Sequence, residues 1–294
     1  MYMKKILFLF VFLLTLNVAK ADTFDVTAAY VGSSYFDKAQ VNALAALSLN
    51  ITAGLEAKWA NEHHTFKDPV YSVAVPVALD FDLMRFEFRP FYYFNNKSDQ
   101  AVFQDSSAFG IQSKLVLTIN EDTANDLYTH AFIGVSFARQ KGTVFYDTLP
   151  MDNRYYSQMA YTLGLKQDFY QAFSFRITGA AFQYPDGITG ITGVRSILDQ
   201  QELADLQTLD IVHDLTKYTV AGTLSRMWSD NGSSFYVGYR FGEFYTADNE
   251  HSILVGNSFP ATKQVSLGFA YNHVRTTHNT NKRDIWRARV EVIF

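Results

Sequence analysis

Histidines next to hydroxyl or carboxylate groups are the residues of this sequence most able to do chemistry. His251 is followed by Ser252, but adjacent residues of a strand point to opposite faces, so this pair does not form a catalytic dyad. His63 and His64 lie near acidic residues without the ligand spacing that is typical of a metal site. We therefore expect no catalytic residue, no bound metal and no cofactor.

A second set of charged residues follows a period of two along the chain. In the stretch 84–92, Arg85, Glu87 and Arg89 alternate with Met84 and apolar aromatic residues, which places the charges on one face of a strand. Bases outnumber acids on this face, although the chain is acidic overall. Candidate residues on the charged face are Lys58, Arg85, Glu87, Arg89, Lys114, Arg154, Lys166, Arg176, Arg240, Arg287 and Arg289.

A long acidic segment could interact with this basic face. The stretch between Arg195 and Lys217 contains five acidic residues and no lysine or arginine. Its leucines and isoleucines recur at roughly helical spacing and predict a short amphipathic helix over 196–211, within a connection spanning 185–216. We expect this helix to fold inward as a lid. The acids that would pair with the basic face are Asp199, Glu202, Asp205 and Asp210.

The N-terminus and the composition restrict the class of protein. Residues 1–21 contain two early lysines, an apolar run and a small-x-small ending at Ala21, and so predict a cleaved signal peptide. Its three lysines leave 22 of the 25 basic residues against 29 acidic ones, a net charge of −7. A nucleic-acid partner is therefore not expected. The absence of cysteine argues against a disulfide-stapled module and against a lipoprotein.

Strict alternation over the rest of the chain indicates strands. The stretches 71–79, 235–241 and 265–271 place apolar residues at every second position, and 109–119 does so except at Ser113. Aromatic residues make up 16% of the chain. Short connections alternate with longer ones, as in transmembrane barrels with periplasmic turns and outer loops. We therefore predict that residues 22–294 form a single, closed, antiparallel transmembrane β-barrel, with the apolar face towards lipid.

The number of strands depends on the segment before residue 54. Counting back from the C-terminus gives twelve strands, and 24–35 with 41–49 adds two more, for a total of fourteen. The alternative is that the alanine-rich stretch 37–49 forms a helix, which leaves twelve. We expect fourteen. Among the longer outer connections we place 139–153.

The last strand resembles a known signal. Arg287, Arg289 and Glu291 alternate with apolar residues, and the chain ends on phenylalanine. This pattern is similar to the C-terminal signal of Gram-negative outer-membrane β-barrel proteins, which the barrel-assembly machinery recognises. The resemblance implies localisation in the cell outer membrane, with that machinery, membrane lipid and lipopolysaccharide as partners. The residues that carry it are Trp286, Val290, Val292 and Phe294.

These observations lead to an expected function with two alternatives. A basic lumen behind low-dielectric walls favours anions, so we expect a porin-like diffusion channel with mild preference for small anionic solutes, gated by the 185–216 loop. The first alternative is a structural or surface-interaction barrel, filled by its own paired charges and inward aromatic residues. A distant alternative is an outer-membrane enzyme that modifies lipids.

Overall fold

Fourteen antiparallel strands form a ring in the computed structural model. The structure describes residues 23–34, 36–62, 70–95, 107–122, 127–146, 149–169, 173–187, 191–192, 202–203, 206–207, 215–228, 232–245, 248–278 and 282–294. The strands are β1 (Phe24–Ser33), β2 (Phe36–Ser48), β3 (Ile51–Glu62), β4 (Val70–Ala74 and Val77–Phe81), β5 (Met84–Asn95), β6 (Ser107–Asp122), β7 (Leu127–Tyr146), β8 (Leu149–Phe169), β9 (Phe173–Gln183), β10 (Thr216–Met227), β11 (Ser234–Phe244), β12 (Glu250–Pro260), β13 (Val265–Thr276) and β14 (Lys282–Ile293).

Pairing of the first and last strands closes the sheet. Each strand pairs with its neighbours in the chain, and β1 pairs with β14 in a register that places Ala28 opposite Val290. Two backbone bonds between Phe24 and Phe294 complete the seam. Closure leaves no unpaired edge, which hydrocarbon requires because it cannot hydrogen-bond a free N–H or C=O.

The interruption of β4 has a local cause. Proline has no N–H to donate, and the strand breaks at Val75 and Pro76 before resuming at Val77. The break stays hydrogen-bonded, because the Val75 N–H donates to the Pro90 carbonyl and the Pro76 carbonyl accepts from the Gly54 N–H. Both halves of β4 therefore remain between β3 and β5.

The outer surface of the ring is apolar. Ile133 and Leu163, in the body of β7 and β8, are 52% and 66% exposed, as expected of side chains that face lipid. Two tryptophans are also exposed: Trp228 directly follows the last residue of β10, and Trp286 lies in the first half of β14. No helix in the described part of the chain is long and apolar enough to cross a membrane. The predicted closed barrel, with its apolar face outward, is confirmed.

The count of fourteen strands is confirmed and the alternative of twelve is wrong. Of the stretch 37–49, which the alternative made helical, residues 37–48 belong to β2, which is paired on one edge with β1 and on the other with β3. The prediction of a long outer connection at 139–153 is also wrong. The connection predicted at 139–153 consists almost entirely of the ends of β7 and β8, which remain paired up to Tyr146 and Leu149.

The prediction of a helix over 196–211 is wrong for the residues of this range that the structure describes. Glu202–Leu203 pairs antiparallel with Leu206–Gln207 as a very small hairpin. A short isolated helix is only marginally stable in water unless one face packs, and leucine spacing alone does not supply that packing. The rest of this segment, with Asp199, Asp205 and Asp210, lies outside the described residues.

Candidate channel lumen

We name the two ends of the barrel by their connections. The turn end carries the connections 49–50, 82–83, 123–126, 170–172, 228–233 and 261–264, together with the start of β1 and the end of β14. The loop end carries the connections 34–35, 63–69, 96–106, 147–148, 184–215, 245–249 and 277–281. The charged face predicted from the alternation points into the ring, since its neighbours along each strand are the exposed apolar residues.

A row of consecutive ion pairs lies inside the barrel near the turn end. Arg85 contacts Asp80 and Glu87, each with a nitrogen–oxygen distance of 3.0 Å. Lys114 of the next strand contacts the other carboxylate oxygen of Glu87 at 2.6 Å. These partners come from β4, β5 and β6, whose register sets Glu87 directly opposite Lys114. Part of the inward charge is therefore neutralised locally.

A second cluster is centred on a buried carboxylate. The Glu56 side chain is only 2% exposed, lies 3.0 Å from the Lys58 ammonium, and also pairs with the Arg89 guanidinium. Gln40 donates to its second oxygen at 3.2 Å. Arg89 donates in addition to Gln112 at 2.6 Å. Two cations therefore share one carboxylate, which leaves an excess of positive charge.

Arg176 lies where two internal cavities meet. The first cavity has a volume of about 390 Å³, the second about 660 Å³, and Arg176 lines both. Its guanidinium lies over the Phe132 ring, 4.8 Å from the ring centre. The Lys114 ammonium lies 5.9 Å from the centre of the same ring. Phe132 therefore holds two cations beside the cavities by cation–π contact.

The second cavity opens towards the turn end and is also basic. Lys166 pairs with Asp168 at 3.0 Å, and Arg289 pairs with Glu291 at 2.9 Å. Arg287 lines the same cavity. Taken together, the charged residues that line the two cavities are seven bases against four acids. The bases are Arg85, Arg89, Lys114, Lys166, Arg176, Arg287 and Arg289, and the acids are Glu56, Glu87, Asp168 and Glu291.

Two of the predicted candidates lie away from these cavities. Arg240, nearly buried, contacts Glu250 at 3.6 Å, and Glu250 also pairs with Arg283. Lys58 belongs to the Glu56 cluster and does not line either cavity. The backbone of Arg154 belongs to β8, but its side chain lies outside the described residues.

Sequence reasoning missed Glu250 and Arg283, because the longer connections that it predicts over 246–250 and 276–283 contain them. Glu250 instead begins β12, where it is in phase with the inward Ser252, and Arg283 of β14 is in phase with the buried Ile285. That period-two phase is the signal that could have identified them. Asp168, near the end of β8, was missed because the sequence predicts a turn over 167–171.

An aromatic layer fills part of the lumen towards the loop end. Its members are buried or partly buried. Five of them belong to β5, β8, β9 and β11, and the sixth directly follows β9. Tyr184 stacks on Tyr156 with a centroid distance of 5.8 Å and donates to the Thr216 carbonyl at 2.7 Å. Burial raises the pKa of the Tyr184 phenol, which keeps it a neutral donor. The layer consists of Phe91, Tyr93, Tyr156, Phe182, Tyr184 and Phe244.

The histidines that the structure describes contact hydroxyl or carboxylate partners. His251 contacts the Tyr239 hydroxyl at 2.7 Å, and His273 contacts Asp284 at 2.7 Å, both on the outward face. Within the ranges that the structure describes, no three His, Asp or Glu side chains are grouped as metal ligands.

Comparisons with known proteins bear on the fold. No protein-family model matches the chain, and no curated protein matches it. Among solved structures, the chain is similar to the CymD monoaromatic hydrocarbon channel, with a TM-score of 0.55 and 7% identity, over 94% of this chain and 89% of that one. It is also similar to CdiB from Acinetobacter baumannii, with a TM-score of 0.52 and 8% identity, over 92% of this chain. The similarity spans 60% of CdiB. At these identities the likeness concerns architecture, and it agrees with a closed membrane barrel of the outer-membrane type.

Proposed function

We propose that the protein is an outer-membrane channel through which small solutes diffuse, with a preference for anions. The observation that carries this proposal is the excess of bases over acids, seven to four, along the two cavities. Low-dielectric walls concentrate the field of such charges in the lumen and raise the local concentration of anions. The CymD neighbour is itself described as a channel, which agrees with transport.

Arg176 provides the sharpest test of the anion preference. Two unit charges 4 Å apart in water interact by about 1 kcal/mol, so Arg176→Gln should lower anion enrichment at the junction by up to about fivefold. The refolded protein is inserted into a planar bilayer between unequal KCl concentrations, and the reversal potential is measured. We expect the wild type to favour chloride and Arg176→Gln to move the potential towards zero.

Arg139→Gln is the matched control. Arg139 is exposed on the outward face and lies over the Tyr155 ring, 4.4 Å from its centre. Its loss removes the same charge without altering the cavities, so the reversal potential should not change. Cation selectivity of the wild type, or equal shifts in both variants, would contradict the proposal.

A second candidate function is a filled barrel without transport, and the buried aromatic layer favours it. A total lack of conductance in the wild type and in a variant lacking residues 198–209 would support this candidate and reject the channel. If the 185–216 segment acts as a lid, the deletion should increase conductance. The acids at 199, 202, 205 and 210 remain candidates for this role.

The remaining parts of the proposal concern export, assembly and catalysis. We propose that residues 1–21 are removed as a signal peptide, and that Phe294 with the alternating end of β14 is read by the barrel-assembly machinery. Lipopolysaccharide is the expected lipid of the outer leaflet. Catalysis forms no part of the proposed function, and hydrolysis assays on phospholipid and lipopolysaccharide would test that.

A further inference from the structure

A polar cluster lies on the outward face at the loop end of β13 and β14. The outward residues before it, Phe269 and Trp286, are 51% and 63% exposed and face lipid. Continuing in the same phase, the next outward side chains are ionisable or hydroxylated instead of apolar. This rim cluster consists of Tyr271, His273, Arg275, Lys282 and Asp284.

Hydrogen bonds hold Arg275 in a defined position. Asp284 accepts a hydrogen bond from the Tyr271 hydroxyl at 2.6 Å and lies 2.7 Å from Nδ1 of His273. Nε of Arg275 donates to Nε2 of His273 at 2.8 Å. Neutral His273 satisfies both contacts if Nδ1 carries the proton. The guanidinium is thus anchored through Nε, which leaves its two Nη groups as donors for another acceptor.

The strand register places two cations side by side. Arg275 pairs directly with Lys282 across β13 and β14, and like charges at opposed positions destabilise a sheet. Over the part of the chain that the structure describes, no carboxylate contacts either the Nη atoms of Arg275 or the Lys282 ammonium. An external anion bound between them would turn this repulsion into attraction.

A groove of about 930 Å³ runs beside the cluster along the outside of the barrel. Trp286, Phe269 and the edge of Tyr271 form its floor, and Lys282 and Asp284 lie at its loop end. Asp37, also in this groove, is already bonded to the Tyr30 hydroxyl at 2.6 Å. The groove therefore combines an apolar shelf for acyl chains with paired cations where lipid headgroups begin.

We propose that the rim cluster binds the phosphate monoester of a glycolipid headgroup in the outer leaflet. Such a phosphate carries about −1.5 to −2 charges near neutral pH, and it would be attracted by the net positive charge that Arg275 and Lys282 leave after Asp284 is counted. Arginine also binds phosphate oxygens with paired donors. The acyl chains would lie along Trp286 and Phe269. This inference rests on the proposed outer-membrane location, with the loop end outermost.

The test compares lipids that differ only in phosphate. The folded full-length mature chain, in detergent, is titrated with lipid A, with the same glycolipid after dephosphorylation, and with inorganic phosphate, and binding is measured by native mass spectrometry. Each basic residue near an anionic membrane surface contributes roughly fivefold in affinity. We therefore expect Arg275→Gln with Lys282→Gln to weaken lipid A binding by about 25-fold.

Lys263→Gln is the matched control, because Lys263 is an exposed lysine in the 261–264 turn at the opposite end of the barrel. The Lys263→Gln variant should bind lipid A with the affinity of the wild type. Unchanged binding in the double variant, or equally tight binding of the dephosphorylated glycolipid, would overturn the proposal. Displacement of lipid A by equimolar inorganic phosphate would also overturn it, since the site would then take the ion alone. None of these results depends on conductance, so they are separate from the test of the channel.

Discussion

Replacing Gly164 with alanine should narrow the barrel lumen, because it displaces a single aromatic ring. The ring of Phe132 lies over Gly164, and a Cβ added there would be 2.0 Å from Cζ of Phe132 and 2.7 Å from the Ile177 carbonyl oxygen. Ordinary contact begins near 3.4 Å, so the ring must withdraw by at least 1.4 Å. Phe132 lines the first cavity, so this cavity is the space into which the ring can move.

The displaced ring would affect both the lumen and stability. Arg176 and Lys114 lie over the Phe132 ring, so they should move with it into the junction of the two cavities. Over-packing of this kind typically costs about 1–3 kcal/mol of folding free energy. We therefore expect Gly164→Ala to insert into bilayers with reduced single-channel conductance and a lower urea midpoint of unfolding.

Two further variants make the interpretation specific. Gly222→Ala is the control, because its added Cβ would meet only the Arg176 carbonyl oxygen, at 3.8 Å. Combining Gly164→Ala with Phe132→Leu should restore conductance, since the smaller side chain leaves room for the methyl group. Wild-type conductance and stability in Gly164→Ala would refute the reasoning, because the ring could not then lie where the structure places it.

Three more predictions address other parts of the molecule. Glu56→Gln leaves two buried cations without their carboxylate and should lower the free energy of unfolding in urea by roughly 3–5 kcal/mol, whereas Glu243→Gln, at an exposed pair, should change little. Ile133→Arg puts a charge against lipid, where it costs about 2–4 kcal/mol near the midplane, and should reduce the folded fraction in vesicles more than Leu83→Arg in the 82–83 turn. The exported protein should begin immediately after Ala21 by mass spectrometry, and an N-terminus at Met1 would contradict signal cleavage.

The fold could be predicted from the sequence because alternation reports directly which side chains share a face. The ambiguity at 37–49 arose because alanine is compatible with either a helix or a small-residue strand face. It was resolved by pairing on both edges of β2, which is a non-local property. The ends of β7 and β8 were missed likewise, since polar residues such as Gln140 look like loop residues until their partners are known.

The site was less predictable, because alternation gives the face but neither the depth nor the partner of a side chain. Arg85 and Lys114 were both expected in the lumen, but their shared contact with Glu87 depends on the register of two strands, β5 and β6. The sequence could not show that Phe132 lies over Gly164 either, because these residues are on different strands. The sequence also could not show that the inward aromatic side chains gather at the loop end, because their depth in the barrel does not follow from alternation.

The two readings of the lumen, open channel and filled barrel, apply to different depths of the same barrel. Towards the turn end, bases and polar groups surround cavities of about 390 and 660 Å³, which are large enough for hydrated ions. Towards the loop end, Phe91 and Phe182 pack with neighbouring alanines. An apolar constriction can stop ions by dewetting, so the aromatic layer should limit conductance in series with the charged cavities. Phe182→Ala should therefore increase conductance, and Arg176→Gln should mainly alter selectivity. Equal effects of both variants on both quantities would show that the lumen is not divided in this way.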